Sequence, residues 1–201
     1  MKNGFVKILP KGTNCTAELY YFEGLNVVVK RCGKNLLNNE FGKLVIRDYL
    51  NVKNLVESKG VRVPFTYDIF LDAKDRANLY IVESYMGKSL KEILVGRRSN
   101  KYKKEIIRKS AAFIKKFPQN VPLDTTPGNI AIDQKGSFSF IDFIPPNQWL
   151  YEETKWEKIM NEVFITTTKE FDYKNKHNAY FSTKGRLKRF GLHIRKLLRD
   201  N

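Results

Sequence analysis

Asp124 and Asn129 stand five residues apart in a polar loop, Pro122-Leu-Asp-Thr-Thr-Pro-Gly-Asn129. The segments Ile130-Ala-Ile and Ser137-Phe-Ser-Phe-Ile follow, separated by the turn Asp133-Gln-Lys-Gly136, and read as a hairpin. Asp142 sits at its far end in Phe140-Ile-Asp-Phe. A hairpin returns the chain to its start, so two carboxylates and an amide oxygen can converge. Hard oxygen donors of that kind suit Mg²⁺ shared with substrate phosphates. Upstream, Lys30 ends the β-rich run Leu25-Asn-Val-Val-Val-Lys, and Glu40 lies near the start of the next helix. A strand lysine can reach phosphate oxygens, and a glutamate can brace it as an ion pair. Plainer roles exist for each: a turn cap for Asp124, loop-backbone satisfaction for Asn129, a solvated strand lysine for Lys30 and a surface helix position for Glu40.

The elements that must place these residues are legible from pattern. Phe5 to Leu9, Ala17 to Phe22 and Leu25 to Lys30 are β-rich runs separated by Pro10-Lys-Gly-Thr-Asn and Glu23-Gly24, which predicts an antiparallel meander. Leu37, Phe41, Leu44, Val45, Tyr49, Val52 and Val56 recur at helical spacing over 36–58, and Gly60 stops that helix. Strands are expected at Phe65–Leu71 and Leu79–Val82. A short helix follows over Ser89–Val95 with Ser89 as N-cap, and a longer one over Lys101–Phe117 that Pro118 ends. A basic amphipathic helix is expected from Lys184 to Arg199. Strands, one helix, strands, then mainly helix with one late hairpin is an α+β order rather than a βαβα alternation.

Composition narrows the classes further. The formal net charge of the 201 residues is +16. Residues 97–116 and 174–201 each hold nine Lys/Arg against one acidic residue, so these two segments carry the whole excess on a neutral body. Such segments favour a polyanionic partner, whether RNA, an anionic membrane surface or an acidic protein; the plainer alternative is solubility. No apolar run is long enough to span a bilayer, and MKNGFVKILPKG has no apolar stretch before a cleavage site, so no signal peptide is expected. Two histidines, His177 and His193, argue against a His-rich metal site. Two cysteines are not a disulfide framework, which leaves a reduced, cytoplasmic location as the default and Cys32 as a plain buried or half-buried thiol.

Asp124-Thr-Thr-Pro-Gly-Asn129 resembles the catalytic loop of kinases, in the D-x-x-P-G-N version of aminoglycoside-phosphotransferase-like and RIO-like enzymes. Phe140-Ile-Asp-Phe143 resembles their metal-binding DFG segment and Val27-Val-Val-Lys30 their V-A-I-K strand. Asn78 to Gly87, NLYIVESYMG, resembles the hinge that meets adenine. The resemblance covers roughly residues 5–145 in the right order. It implies a two-lobed kinase-like fold: an antiparallel sheet plus one helix over 1–87 and a reduced, mainly helical lobe over 88–201.

It also implies ATP and Mg²⁺ as cofactors. Asp124 would take the acceptor proton, and Asn129 and Asp142 would hold the metal. Lys30 would hold the α/β-phosphates with Glu40 behind it, and the backbones of Glu83 and Tyr85 would face the adenine. The implied activity is an ATP-dependent phosphotransferase, either a serine/threonine protein kinase or an ATPase. The alternatives are a small-molecule phosphotransferase and a kinase-fold nucleotide- or RNA-binding protein without turnover.

Three departures bear on that expectation. Pro122 replaces the His that braces the loop in the family. Ile144-Pro-Pro replaces the Gly after the metal Asp-Phe. The phosphate-covering loop, Lys11-Gly-Thr-Asn-Cys-Thr-Ala, has one glycine. The stretch from Asp142 to Asn201 is too short for a full activation segment and peptide-docking lobe. In size and basic tail the chain resembles the small kinase subunit of the tRNA-threonylcarbamoyl complex.

Overall fold

The computed structural model describes residues 3–10, 15–32, 41–72, 78–119, 121, 123–143 and 182–200. Within them the architecture is mixed α+β, an antiparallel sheet with helices and a more helical C-terminal part. Strands β1 (Gly4–Ile8), β2 (Cys15–Phe22), β3 (Leu25–Cys32), β4 (Thr66–Leu71) and β5 (Leu79–Ser84) form one sheet in the order β1-β2-β3-β5-β4, antiparallel at every pairing. The β2–β3 turn has positive φ at both Glu23 (47°) and Gly24 (87°), the two-residue geometry whose twist matches the flanking strands. It places Phe22 opposite Leu25 and carries the register down to Cys15 opposite Cys32. β3 is therefore the middle strand, fixed on both sides, with Lys30 opposite Ala17 on β2 and Ile81 on β5. Register shifts fall only in the two edge strands, between Phe5 and Lys7 in β1 and between Thr66 and Asp68 in β4.

Helix α1 (Phe41–Ser58) crosses between β3 and β4 in sequence and buries Tyr49, Val52 and Val56, the phase expected from its apolar spacing. It ends at Gly60, whose φ of +71° is the left-handed conformation that stops a helix. After β5, Gly87 (φ +107°) turns the chain into β6 (Lys88–Ser89). A Cβ on Gly87 would run into the backbone of Ile132 and Asp133, so only glycine lets β6 reach β7 (Ile130–Ile132). β8 (Phe138–Phe140) completes this second, three-stranded sheet in the order β6-β7-β8.

Helix α2 (Leu90–Val95) starts at the expected Ser89 cap, with a full capping box: Glu92 N–H donates to Ser89 Oγ at 3.2 Å and Ser89 N–H to Glu92 Oε2 at 2.7 Å. Helix α3 (Asn100–Ile114) is capped by Ser99 and closes a turn earlier than Pro118 suggests. Lys116 and Phe117 N–H bond back three residues, to Phe113 and Ile114, and tighten the end. The last described helix, α4 (Thr183–Arg199), starts at the Ser182 cap.

One contiguous apolar cluster joins all of this. Leu79 and Ile81 of the sheet, Val52 and Val56 of α1, Leu90 and Leu94 of α2, Ile106, Phe113 and Ile114 of α3, Ile130 and Phe140 of the hairpin, and Phe190 and Ile194 of α4 belong to it. Among the described residues no helix is long and apolar enough to cross a membrane.

One expectation is corrected. Cys32 is not a lone thiol; it is bonded to Cys15 across the β2–β3 pair, with S–S 2.12 Å and Cα–Cα 4.1 Å. Directly opposed antiparallel positions bring two Cβ atoms within bonding reach, and a count of cysteines carries no such register. The cytoplasmic expectation rested partly on free thiols and loses that support.

Candidate functional site

Lys30 points from the middle strand into the core side of the sheet. Its side chain is 12% exposed, and Nζ lies 2.7 Å from Glu83 Oε2, whose side chain is 2% exposed. The geometry follows from register. Glu83 pairs with Val28, two residues from Lys30, so the two side chains are diagonal neighbours on one face. Glu83 Oε1 accepts the Tyr49 hydroxyl from α1, and the Lys30 ammonium also donates to the Ile141 carbonyl. Burial, with the Glu83 charge next, pushes the Tyr49 phenol well above its ordinary range, so it stays a donor. Lys53, one turn along α1, is nearly buried and donates to Thr66 Oγ1; burial lowers its pKa against the opposing pull of Glu83 and Glu57.

Ile141 precedes Asp142, so the lysine reaches the backbone of the residue before the candidate metal ligand. The same short segment is tied to the Asp124 loop. Ile141 N–H donates to the Asn129 carbonyl at 3.0 Å, and Asn129 Nδ2 donates to the Asp124 carbonyl at 2.8 Å. Pro127–Asn129 forms a single 3-10 turn, entered from extended Thr126, with Asn129 N–H bonding back to the Thr126 carbonyl at 3.0 Å. Committing Nδ2 to Asp124 leaves Oδ1 as the Asn129 atom that can serve a cation. Asp142 is half-buried, and its charge bears on the Tyr49 hydroxyl. On either side of it, the Phe140 and Phe143 rings meet edge to face at 5.3 Å, and Phe143 meets Tyr49 in the same way at 5.5 Å.

Among the described residues no group of three or more His, Cys, Asp or Glu could hold a metal ion by itself. The donor set expected here is smaller: the Asn129 amide oxygen and the Asp142 carboxylate. That chemistry fits Mg²⁺, which keeps several waters and takes phosphate oxygens with one or two carboxylates.

Asp124 has a different environment. Burial pushes its carboxyl above the usual aspartate range. The charges of His193 and Arg189, then hydrogen bonds from the Thr126 backbone and side chain, pull the other way. Both residues come from α4. That helix is docked rather than free: Phe190 and Ile194 are buried, and so is Arg186. The basic segment expected over 174–201 is thus divided, in its described part, between Arg186 and Arg189, which are buried or half-buried, and an exposed set, Lys184, Lys188, Arg195, Lys196 and Arg199.

Lys30, Asp124, Asn129 and the backbone at Asp142 are thus brought together. Glu40, Pro122 and Ile144-Pro-Pro lie outside the described residues, as do 11–14 of the glycine-poor loop and 174–181 of the basic tail. In the segment expected to face adenine, Tyr85 N–H donates to the Asn26 carbonyl at 3.0 Å, and Glu83 turns a buried side chain to Lys30. Glu83 is the carboxylate that pairs with Lys30 among the described residues. The signal was present in sequence: Leu79, Ile81 and Glu83 share one phase of β5, all buried, and a glutamate on the inward phase needs a cation.

Replacing Glu83 by Ala is expected to destabilise the fold by about 3–5 kcal/mol, because it strands a buried ammonium. Lys30→Met combined with Glu83→Leu should cost much less than the two single losses added together. Urea unfolding of the four proteins reads the coupling, and strict additivity would contradict the pair. For Asp124, the raised folded-state pKa makes its stabilising contribution complete at acid pH and lost as pH rises through that pKa. Asp124→Asn should therefore melt higher than wild type at neutral pH, with the gap closing below about pH 4. A lower Tm for the variant at pH 7 would contradict the burial penalty.

No protein-family model and no curated protein matches this sequence, so a functional reading stands on the geometry of these residues.

Proposed function

We propose that this chain is an ATP- and Mg²⁺-dependent phosphotransferase with a two-lobed kinase-like fold, divided near residue 87. The observation that carries the reading is the hydrogen-bonded circuit Lys30–Ile141–Asn129–Asp124. It joins a strand lysine to the backbone before Asp142 across 111 positions of sequence, and the metal-side amide to the loop aspartate. A lone turn cap or a solvated strand lysine needs neither connection.

In this reading Lys30 neutralises and positions the nucleotide phosphates, with Glu83 and Tyr49 fixing its direction. Asn129 and Asp142 supply the protein oxygens for Mg²⁺, which when bound with ATP offsets the charge of the phosphates. Asp124 accepts the proton of the acceptor hydroxyl as its oxygen bonds to the γ-phosphorus. The bond from that phosphorus to the β–γ bridging oxygen breaks, and ADP leaves. A carboxyl with a raised pKa is a better proton acceptor than an ordinary aspartate, while the Arg189 and His193 charges favour its ionised form. The acceptor class spans a protein serine or threonine, a small-molecule hydroxyl and water.

ATP with Mg²⁺ at about a hundred times Kd should raise Tm by roughly 5–10 °C. Asp142→Ala should abolish that shift. Asp124→Asn should keep it while turnover, read as labelled product or phosphate release, falls by about 10²- to 10⁴-fold. Absence of any ATP·Mg²⁺ shift in the wild type would sink the reading. Binding with no turnover would instead identify a nucleotide-binding protein on the same fold.

A polyanionic partner, RNA foremost, is supported by the exposed cations of α3 (Lys101, Lys104, Arg108 and Lys109) together with those of α4. RNA affinity, read by fluorescence anisotropy, should fall steeply with salt, with the log–log slope reduced by about 0.7 for each phosphate contact removed. Lys188→Glu with Arg195→Glu should flatten it. A salt-independent affinity would count against RNA.

A further inference from the structure

Arg186 is 0% exposed, and among the described residues its guanidinium meets no carboxylate. Nη2 donates to the Val121 carbonyl at 2.8 Å, and the guanidinium carbon lies 6.0 Å from the centre of the Phe117 ring. Nε and Nη1 are buried without a hydrogen-bond partner. Desolvation, with Arg189 next, lowers its pKa to about 9. A buried cation held by a carbonyl and a ring is an expensive way to fill space; a methionine of similar shape would cost less. The arginine contributes what methionine cannot, a charged donor aimed at one backbone carbonyl.

That carbonyl is the last fixed point before the loop. Val121 O accepts Leu123 N–H at 2.8 Å as well as Arg186, Leu123 is fully buried, and Asp124 comes next. The start of α4 is pinned to the same stretch. Thr183 N–H donates to Gln119 Oε1 at 3.1 Å, and Gln119 Nε2 donates to the Thr183 hydroxyl.

We propose that Arg186 is the positioning residue of the Asp124 loop: from a helix more than sixty residues downstream, it clamps the Val121 carbonyl and so sets the direction in which the Asp124 carboxylate leaves the core. The inference rests on the reading of Asp124 as proton acceptor, and the experiment separates the two.

Amide hydrogen exchange of the full chain is compared for wild type, Arg186→Met and Arg186→Lys, alongside kcat and KM for ATP. In Arg186→Met the amides of Leu123 and Asn129 should exchange roughly 10- to 100-fold faster, the effect of losing one hydrogen bond to a charged group, while those of β3 and β5 keep their wild-type rates. kcat should fall by about 10- to 100-fold with KM for ATP within about twofold, since the nucleotide side is untouched. Arg186→Lys, which keeps a charged donor, should recover part of both effects. It also serves as the test variant should the methionine protein fail to fold.

Unchanged exchange at Leu123 and Asn129 in a folded variant overturns the clamp. Equal acceleration of loop and sheet amides also overturns it, since that marks a merely structural arginine. A wild type without turnover overturns the phosphotransferase reading, and the positioning role for catalysis with it, whatever the exchange shows.

Discussion

A lysine ammonium cannot be withdrawn from water without an anion and further acceptors to receive it, and the fold is organised around meeting that demand for Lys30. Glu83 supplies the charge from the neighbouring strand, and Ile141 supplies a carbonyl from beyond the hairpin. Tyr49, on α1, takes up the second oxygen of Glu83. Sheet, helix and hairpin are each represented once, so none can shift without exposing or stranding a charge. A pair like this adds little net stability over an apolar replacement. Its effect is to make alternative registers of β3 and β5 costly, because a slip of one residue would turn one of the two charges to the other face and strand its partner.

Much of this was legible in the sequence, and the places where it was not share a cause. Local chemistry reads well: the Glu23-Gly24 turn, the Ser89 cap, the glycine stop at Gly60 and the hairpin after Asn129 all depend on residues a few positions apart. So does the loop itself, since Asp124 and Asn129 lie within one turn of chain. What escapes is pairing fixed by register between distant strands. The Cys15–Cys32 bond and the Lys30–Glu83 diagonal both follow from which residue stands opposite which, and that is set by the turn and the sheet order together. Within Asn78–Gly87 the alternate side chains Leu79, Ile81 and Glu83 face inward, which strand periodicity shows but not which partner Glu83 meets.

The basic tail illustrates a second limit. Counting charges over 174–201 treats every cation as equivalent, whereas a helix sorts them by angle. On α4, Leu187, Phe190, Ile194 and Leu197 define the face that packs on the core. Arg186 lies beside that face and is buried with it, Arg189 and His193 act on Asp124, and Lys184, Lys188, Arg195, Lys196 and Arg199 remain outside. One segment thus packs on the core beside the loop and presents a cationic surface. The long-range part of that arrangement needs a tertiary contact to be seen.

The aromatic neighbours of Asp142 carry an implication for time rather than position. Ile141 is held at its N–H by Asn129 and at its carbonyl by Lys30, and Phe143 is wedged between the rings of Phe140 and Tyr49. With both chain neighbours anchored, the backbone at Asp142 cannot shift on its own, although its carboxylate keeps its own side-chain rotations. That backbone moves when packed rings move, which in a close-packed interior is a collective event of microseconds or longer. Turnover faster than that would have to find Asp142 already in place, and any slow gating of the site would be felt first as a flip of the Phe143 ring.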